Sequence, residues 1–562
     1  MKRIIYAALA CLTFASCEDF LDKQPIEQIG TDEYFKDEAS LEKYTNGFLN
    51  SYTPSSGDVT RGDGNCDIIE VKQTSSYLYQ PVWNSSLQGG WSNSTWNFVY
   101  YINTFLERMH EAQGVSEAAF AHYEGTARFW RAWNYFELVK TFGGVPWYDH
   151  VVRSDSEEDL YKPRDSREYV MERVLEDLNY ACEHCYTSEA WVDNQKINRY
   201  IALAIKSRIC LFEGTYRKYH RVDPSTGKAW DPEYNKDNKW LREAADACEE
   251  LMEAGVYSLV NSPADVATQY RSLFTSPSVL KQEVMWAREY NDEKNVRHDV
   301  TWYFTSGSMG QGWSLDADFV YTYLNRDGSR FTDRADYKST TYAEQFENRD
   351  YRLMQSIRYP GYTRRNNNVN TPYAPDFGYC VTGYQPIKWV IDDTSMDSNT
   401  APCATSIPIL RYAEVLLNEA EAAARAGDKT LALEKLNQVR DRSLADPATQ
   451  TYKAGDFANT KALVEAILWE RRIEFQGEGR RWEDIHRLAA DDLLPSGGIP
   501  AKIEYNNAKG QGAFVVGGEV KAEWFGNSKQ FIPYTDKRFI WPIPLNDILR
   551  NPTLAAQQNA GW

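Results

Sequence analysis

The sequence predicts a mostly α fold, a tetratricopeptide-like scaffold of helix pairs with a loop-rich insertion that carries short strands. Three observations predict it. Apolar residues recur at helical spacing through the first half of the chain. That period fades between about 256 and 405, where Gly, Pro, Asn, Asp and aromatic residues crowd in. From about 406 it returns as helix pairs with small alanines at close-packing positions.

The chain opens with Lys2 and Arg3, an apolar run from Ile4 to Ala15 broken by Thr13, then Ser16 and Cys17. A positive start, a short apolar stretch and a small residue before the cut form a secretory signal. The run is shorter than the roughly 20 residues a spanning helix needs. Phe14-Ala15-Ser16-Cys17 reads as a lipobox, with Phe where Leu is usual. Residues 1–16 are then the signal and Cys17 the lipid-bearing first residue.

The helices follow in order. TWNFVYYINTFLERMHEAQ precedes GTARFWRAWNYFELVKTFGGVPW, whose Phe129, Ala132, Trp133, Phe136 and Val139 share a stripe that stops at Gly143-Gly144. SREYVMERVLEDLNYACEHC and INRYIALAIKSRICLFEGTYR make a second pair, and KWLREAADACEELMEAG begins another. Residues 17–255 are therefore an N-terminal helical region. Residues 256–405, as in YTRRNNNVNTPYAPDFGY, keep too many aromatics for a flexible linker and read as an ordered ligand- or partner-facing insertion. In the C-terminal region, 406–562, Leu410, Ala413, Leu417, Ala420 and Ala424 form one stripe, and Gly427-Asp428 makes the turn. Leu433, Leu436 and Val439 follow on the next helix, and Ala462, Ala466, Trp469 and Ile473 are expected inward on the one after.

The formal charge is −18 and becomes about −20 once the signal is removed. Such a surface repels phosphate backbones and argues against nucleic-acid binding. Aromatics make up 14% of the chain, more than a core alone requires, and flat amphipathic rings suit sugar faces. Beyond Cys11 and Cys17 seven cysteines remain, an odd number that argues against a complete disulfide framework. Cys182 and Cys185 sit one helical turn apart with no second CxxC, as core thiols do.

Glu470 and Glu474 share a helix face, as a catalytic carboxylate pair would, but Arg471, Arg472, Arg480 and Arg481 are interleaved with them. Arginines keep carboxylates ionised, which suits ion-pair clamps between helices rather than a proton donor. HExxH, GxSxG and P-loop motifs are missing, and the acidic pairs in DADF at 316–319 and at Asp392-Asp393 make no EF-hand loop. No metal and no cofactor is expected. Two carboxylates brought together by the fold would suffice for a glycosidase, so an enzyme stands as the least favoured alternative.

Several stretches together resemble the SusD/RagB family of surface glycan-binding lipoproteins. They are Cys17-Glu-Asp-Phe-Leu-Asp, Tyr34-Phe35 with Ala39-Ser-Leu-Glu-Lys-Tyr44, GTARFWRAWNYFELVKTFGGVPW, ILRYAEVLLNEAEAAARAGD, ERRIEFQGEGRRWEDIHR, and the ending from Ile540-Trp541-Pro542 to Trp562. The resemblance implies a SusD-like fold and a non-catalytic lipoprotein on the outer face of the outer membrane. It also implies a partner, a SusC-like TonB-dependent transporter to which the bound glycan is delivered. Glu18-Asp19 after the lipid Cys fits an acidic surface-export signal. Relatives that serve peptide uptake make a peptide or another non-glycan nutrient the alternative ligand.

Two aromatic stretches outside the helical pattern are the candidate sugar platforms. The first holds Tyr79, Trp83, Asn84, Trp91 and Asn93. The second holds Tyr290, Trp302, Tyr303 and Trp313, with Gly307, Gly310 and Gly312 making its loop pliable. Asn, Gln and Ser among the rings supply hydroxyl partners. A third patch, Tyr359, Tyr362, Arg364, Arg365 and Asn368, is expected to form a polar rim or to face the transporter.

Overall fold

In the computed structural model the described residues are 35–70 and 90–488, apart from 67, 71–89, 194, 221, 307–311, 338–339, 377–379, 381, 401 and 445, together with 515–516, 519–520 and 540–562. The fold is mostly helical, as its sequence predicts. Helix α1, Glu38–Tyr52, starts at a capping box in which the Asp37 carboxylate accepts from the Ser40 N–H and the Ser40 hydroxyl accepts from the Asp37 N–H. Helix α2 is Asn93–Arg108 and α3 is Glu117–Phe142. The latter ends where Gly143 takes φ +77°, a conformation a side chain would resist. Helices α4, Arg167–His184, α5, Arg199–Tyr219, and α6, Lys239–Glu253, complete the first half.

After the central segment come α7, Tyr412–Ala426, α8, Lys429–Asp441, α9, Thr460–Glu474, and α10, Arg480–Leu488. Contacts run along the stack, α3 on α4, α4 on α5, α5 on α6, α6 on α7 and α7 on α8 and α9, while α1 and α2 flank α3 and α10 returns to α5. Each helix buries its stripe against the next, the logic of a helical repeat. Phe129, Ala132, Trp133, Phe136 and Val139 are all buried, as are Ala413, Leu417, Ala420 and Ala424.

Two elements differ from the sequence expectation. Leu410 lies in a strand, Ile407–Arg411, not in the helix that follows. On α9 the inward face is Leu463, Val464, Ile467, Leu468 and Ile473, while Ala462, Ala466 and Trp469 lie half-buried at its edge. Partners on two sides of α9 widen its buried face beyond one stripe. The seven cysteines within the described residues are buried thiols outside any disulfide. Burial pushes the Cys182 thiol up to about 12, so Cys182 is held as an inert thiol.

The central segment has short strands and short helices at Gln269–Thr275, Val300–Thr305, Ala317–Thr322 and Tyr351–Ser356. Strand β1, Ile69–Glu70, pairs antiparallel with β3, Ser314–Leu315. Strand β2, Val284–Arg288, pairs antiparallel with β6, the Ile407–Arg411 strand. Strands β4, Thr363–Asn366, and β5, Val369–Pro372, form a hairpin whose turn residues Asn367 and Asn368 both have positive φ. The Trp286 ring on β2 is fully buried and meets the α3 rings Phe129, Trp130 and Trp133 edge-on, at centroid distances of 6.3, 5.8 and 5.7 Å.

On its other side this segment is held by charge. Arg411 at the end of β6 donates to Glu283 and Glu474 at 2.7 and 2.8 Å and to Glu478 at 2.7 Å. Arg442, after α8, joins Glu283 at 2.6 Å and also pairs with Glu474. Arg352 bridges Asp350, Glu470 and Glu474. Lys388 donates to Glu478, to the Gln476 carbonyl and to the Tyr270 hydroxyl at 2.7, 2.7 and 2.8 Å. All these groups are buried. The Glu470–Glu474 pair is thus an ion clamp closed to solvent, but its cations are Arg352, Arg411 and Arg442 from elsewhere in the chain, whereas the adjacent Arg471 pairs with Asp484 and Arg480 with Glu483. Burial works against ionisation of Glu474, but Arg442, Arg411 and Arg352 prevail and hold its carboxyl down at about 2. At Glu470 burial wins over Arg352 and pushes the carboxyl up.

Removing one partner from such a cluster strands the others. Glu474→Gln is expected to destabilise the protein by about 3–5 kcal/mol, read from urea unfolding at neutral pH. Because the folded-state value lies below the ordinary 4.5, the stabilisation is present above that value and is lost as pH falls towards 2. Thermal midpoints of wild type and variant should therefore converge on acidification through this window.

Candidate functional site

The site is built on a glycine-flanked turn, Arg61-Gly62-Asp63-Gly64-Asn65, in which Gly62–Asn65 form one 3₁₀ turn. The fully buried Asp63 carboxylate accepts from the backbone N–H groups of Gly477, Gly479, Arg481 and Trp482 at 2.8, 3.2, 3.0 and 3.4 Å. Asp63 thereby ties the turn to the start of α10, where unpaired N–H groups favour an anion. The backbones meet so closely that a Cβ on Gly62 would lie 2.8 Å from the Gly479 Cα. Gly479 itself has φ +76°.

On the other side of the turn, a Cβ on Gly64 would lie 2.8 Å from Cζ2 of Trp313. The missing side chain leaves a slot that the indole fills. Trp313 also meets Tyr303 and Phe304 edge-on, at 6.1 and 5.7 Å. Tyr303 and Trp313 are 9% and 6% exposed, so both rings face inward and are spent on packing rather than held out on a pliable loop. Gly307 and Gly310 lie outside the described residues, and Gly312 has φ +75°.

The surface of this cluster is polar. The Arg61 guanidinium lies 3.9 Å over the Tyr303 ring and donates to Asp299 at 3.0 Å. Both side chains of the pair keep more than a quarter of their surface, 29% and 28%. Trp302, one helical turn beyond Asp299, is half-buried. Tyr290 is half-buried too, with its ring edge-on to His298 at 4.6 Å. Tyr290, Trp302 and the Arg61–Asp299 pair thus keep open surface, and Tyr303, with Trp313 against it, lies beneath Arg61. Sequence reasoning missed Arg61 and Asp299. The signal was the acid flanked by two glycines, a pattern of close backbone approach.

The first predicted platform is only partly described. Tyr79, Trp83 and Asn84 lie outside the described residues. Trp91 is half-buried and edge-on to Trp96 and Phe142, at 5.3 and 4.9 Å. Asn93 opens α2. Among the described residues no ring contact joins Trp91 to the Tyr303–Trp313 cluster.

The third patch is the β4–β5 hairpin. Tyr362 and Arg364 are buried, with the Tyr362 hydroxyl on Asp392 and Arg364 paired to Asp397 at 2.7 Å. Arg271 grips Asp392 with two bonds of 2.7 Å, and exposed Arg365 pairs with Asp393. Asp392 and Asp393 are thus engaged by cations. Among the described residues no cluster of acidic, His or Cys side chains has a metal-binding arrangement.

The frame and its motifs match known proteins. Residues 282–562 match the model of the SusD family, and residues 19–211 match a second model described as starch-binding associating with outer membrane. The chain belongs to the SusD family. A SusD-like protein of Formosa agariphila is 22% identical over 98% of this chain and 97% of its own. A crystal structure of a SusD-like protein from Bacteroides fragilis superposes with a TM-score of 0.72 at 22% identity, covering 96% of this chain and all of the other. A second Bacteroides fragilis structure, titled a SusD-like carbohydrate binding protein, has a TM-score of 0.66 at 19% identity over 93% of this chain and 99% of its own.

The Gly62–Gly479 approach leaves no room for a methyl group. Gly62→Ala is expected to cost about 1–3 kcal/mol in urea unfolding. It should also change the near-ultraviolet circular dichroism of the ring cluster, which the turn supports.

Proposed function

We propose that this protein is a non-catalytic lipoprotein of the outer membrane that binds glycan at the cell surface and delivers it to a SusC-like TonB-dependent transporter. The observation that carries this reading is membership of the SusD family, with its two models together spanning most of the chain. The description of the N-terminal model supports the membrane association. No helix among the described residues is long and apolar enough to cross a membrane, and a lipid on Cys17 supplies the anchor in this reading.

Tyr290 and Trp302 are proposed as the sugar-stacking rings of one face and Trp91 as that of another, with Tyr79, Trp83, Asn84 and Asn93 of the same sequence stretch proposed as further ligand contacts. Tyr303, with Trp313 against it, lies beneath Arg61. The Arg61–Asp299 pair offers donors and an acceptor side by side, as two neighbouring sugar hydroxyls require. The loop-rich segment 256–405 carries most of this face, and the helical regions on either side hold it. The hairpin with Arg365 and the exposed Val369 is proposed to face the transporter.

Affinity electrophoresis in gels containing starch, xylan, mannan and other polysaccharides tests the reading. The protein should be retarded by at least one, and Trp302→Ala should weaken that binding about tenfold, the loss of one stacking platform. Absence of binding across a broad panel, with peptides recovered by mass spectrometry from the purified protein, would favour peptide uptake. Cys17→Ser should abolish labelling by radioactive palmitate.

A further inference from the structure

Helices α1 and α2 and the ring of Phe35 line a groove of about 520 Å³ that lies apart from both predicted sugar platforms. Its volume falls in the range of small-molecule sites. Tyr44 and Tyr52 of α1 face it, and Tyr100 and Tyr101 of α2 stand at its edge. The last two are 54% and 49% exposed, with ring centroids 5.4 Å apart. Adjacent half-exposed rings are an unusual use of surface unless something covers them.

One further observation points to an occupant. Gly47 lies in the middle of α1 and lines the groove, and a Cβ built on it meets no atom within 4 Å. A mid-helix glycine weakens a helix relative to alanine, and no neighbour here demands it. What the glycine preserves is open space in the groove. Thr104 lines the opposite wall, but its Oγ1 is sealed from solvent and does not open onto the groove.

The chemistry of the lining selects the occupant. The rings at the groove edge carry hydroxyls, so each gives an apolar face and a polar rim, which suits the C–H face and hydroxyl edge of a pyranose. Lys43, Ser51 and Arg108 add polar partners, and no carboxylate lines the space. An apolar helix laid in the groove would cover the Tyr100, Tyr101 and Ser51 hydroxyls without offering them partners.

We propose that the groove between α1 and α2 is a second glycan subsite, taking a short stretch of the same polysaccharide that the Trp302 face binds. The proposal rests on the glycan-binding reading above. Two subsites on one body strengthen the grip on a long chain through effective concentration, with little gain for a short one.

The test is isothermal titration and affinity electrophoresis of the whole protein with starch, xylan and mannan and with disaccharides of the same sugars. The proteins compared are wild type, the Tyr100→Ala/Tyr101→Ala double variant, Gly47→Trp, which fills the groove from open space, and Trp302→Ala. Both groove variants should bind the preferred polysaccharide about tenfold more weakly, with unchanged thermal midpoints. Trp302→Ala combined with Gly47→Trp should weaken binding further than either alone. Wild-type affinity in both groove variants, with Trp302→Ala still impaired, would overturn the second subsite and leave glycan binding standing. Failure of the wild type to bind any polysaccharide would overturn both.

Discussion

Where α9 crosses the end of β6, Arg352, Lys388, Arg411 and Arg442 meet Glu283, Asp350, Glu470, Glu474 and Glu478 in a space closed to water. Taking each ion out of water costs several kcal/mol, and only a complete set of well-placed partners offsets that cost. The contributing residues come from just before β2, the end of β6, the start of the Tyr351–Ser356 helix, the irregular segment at Lys388, just after α8, α9 and the turn before α10. The cluster therefore forms only when the central segment and the C-terminal helices are both in place. Five carboxylates face four cations, and burial pushes Glu470 up, so the surplus negative charge falls where ionisation is least favoured. Burial also pulls Lys388 down to about 8, against the pull of Glu478. This cluster gives specificity of assembly more than raw stability, since apolar side chains of the same volume would hold the same elements with less desolvation.

The opposite side of the central segment is fixed by packing. Trp286 enters the aromatic face of α3, so β2 is held by rings on one side and by ions on the other. The Asp63 turn is a third fixed point. One carboxylate reaching four backbone N–H groups sets the position of Gly64, and Gly64 sets the plane of Trp313. Arg61, stacked over Tyr303, thus rests on a layer with little freedom to shift. A binding face for a weakly interacting ligand gains from such preorganisation, because less order has to be imposed on contact.

Most of the aromatic excess goes into this architecture. Trp130, Trp240 and Trp286 are fully buried, and rows of edge-to-face rings run through the N-terminal helices. Among the described residues the most exposed rings are Tyr100, Tyr101, Tyr161 and Tyr169, while Trp302, Tyr290 and Trp91 are half-buried. Each of the last three lies at the margin of a rigid element, where a ring face can be presented without losing its support.

The helical elements were legible in the sequence because their signals are local. A 3.6-residue stripe, Gly143 and Gly427 at helix ends, and capping residues such as Ser116 and Asn198 act within a turn or two of where they stand. The family motifs were legible for the same reason, as ordered runs of such local signals, and Cys182 and Cys185 read as core thiols from their spacing of one helical turn. What could not be read there depends on contacts between residues far apart in the chain. Leu410 looks helical until β2 pairs with its strand, and the α9 stripe widens because helices approach it from two sides. Trp313 and Tyr303 look like open loop rings until Gly64 supplies a slot, and Arg61 becomes a site residue only once Asp299 is brought beside it. Helix formation is decided by the residues of the helix, but whether a ring is core or surface is decided by what the rest of the chain places against its face.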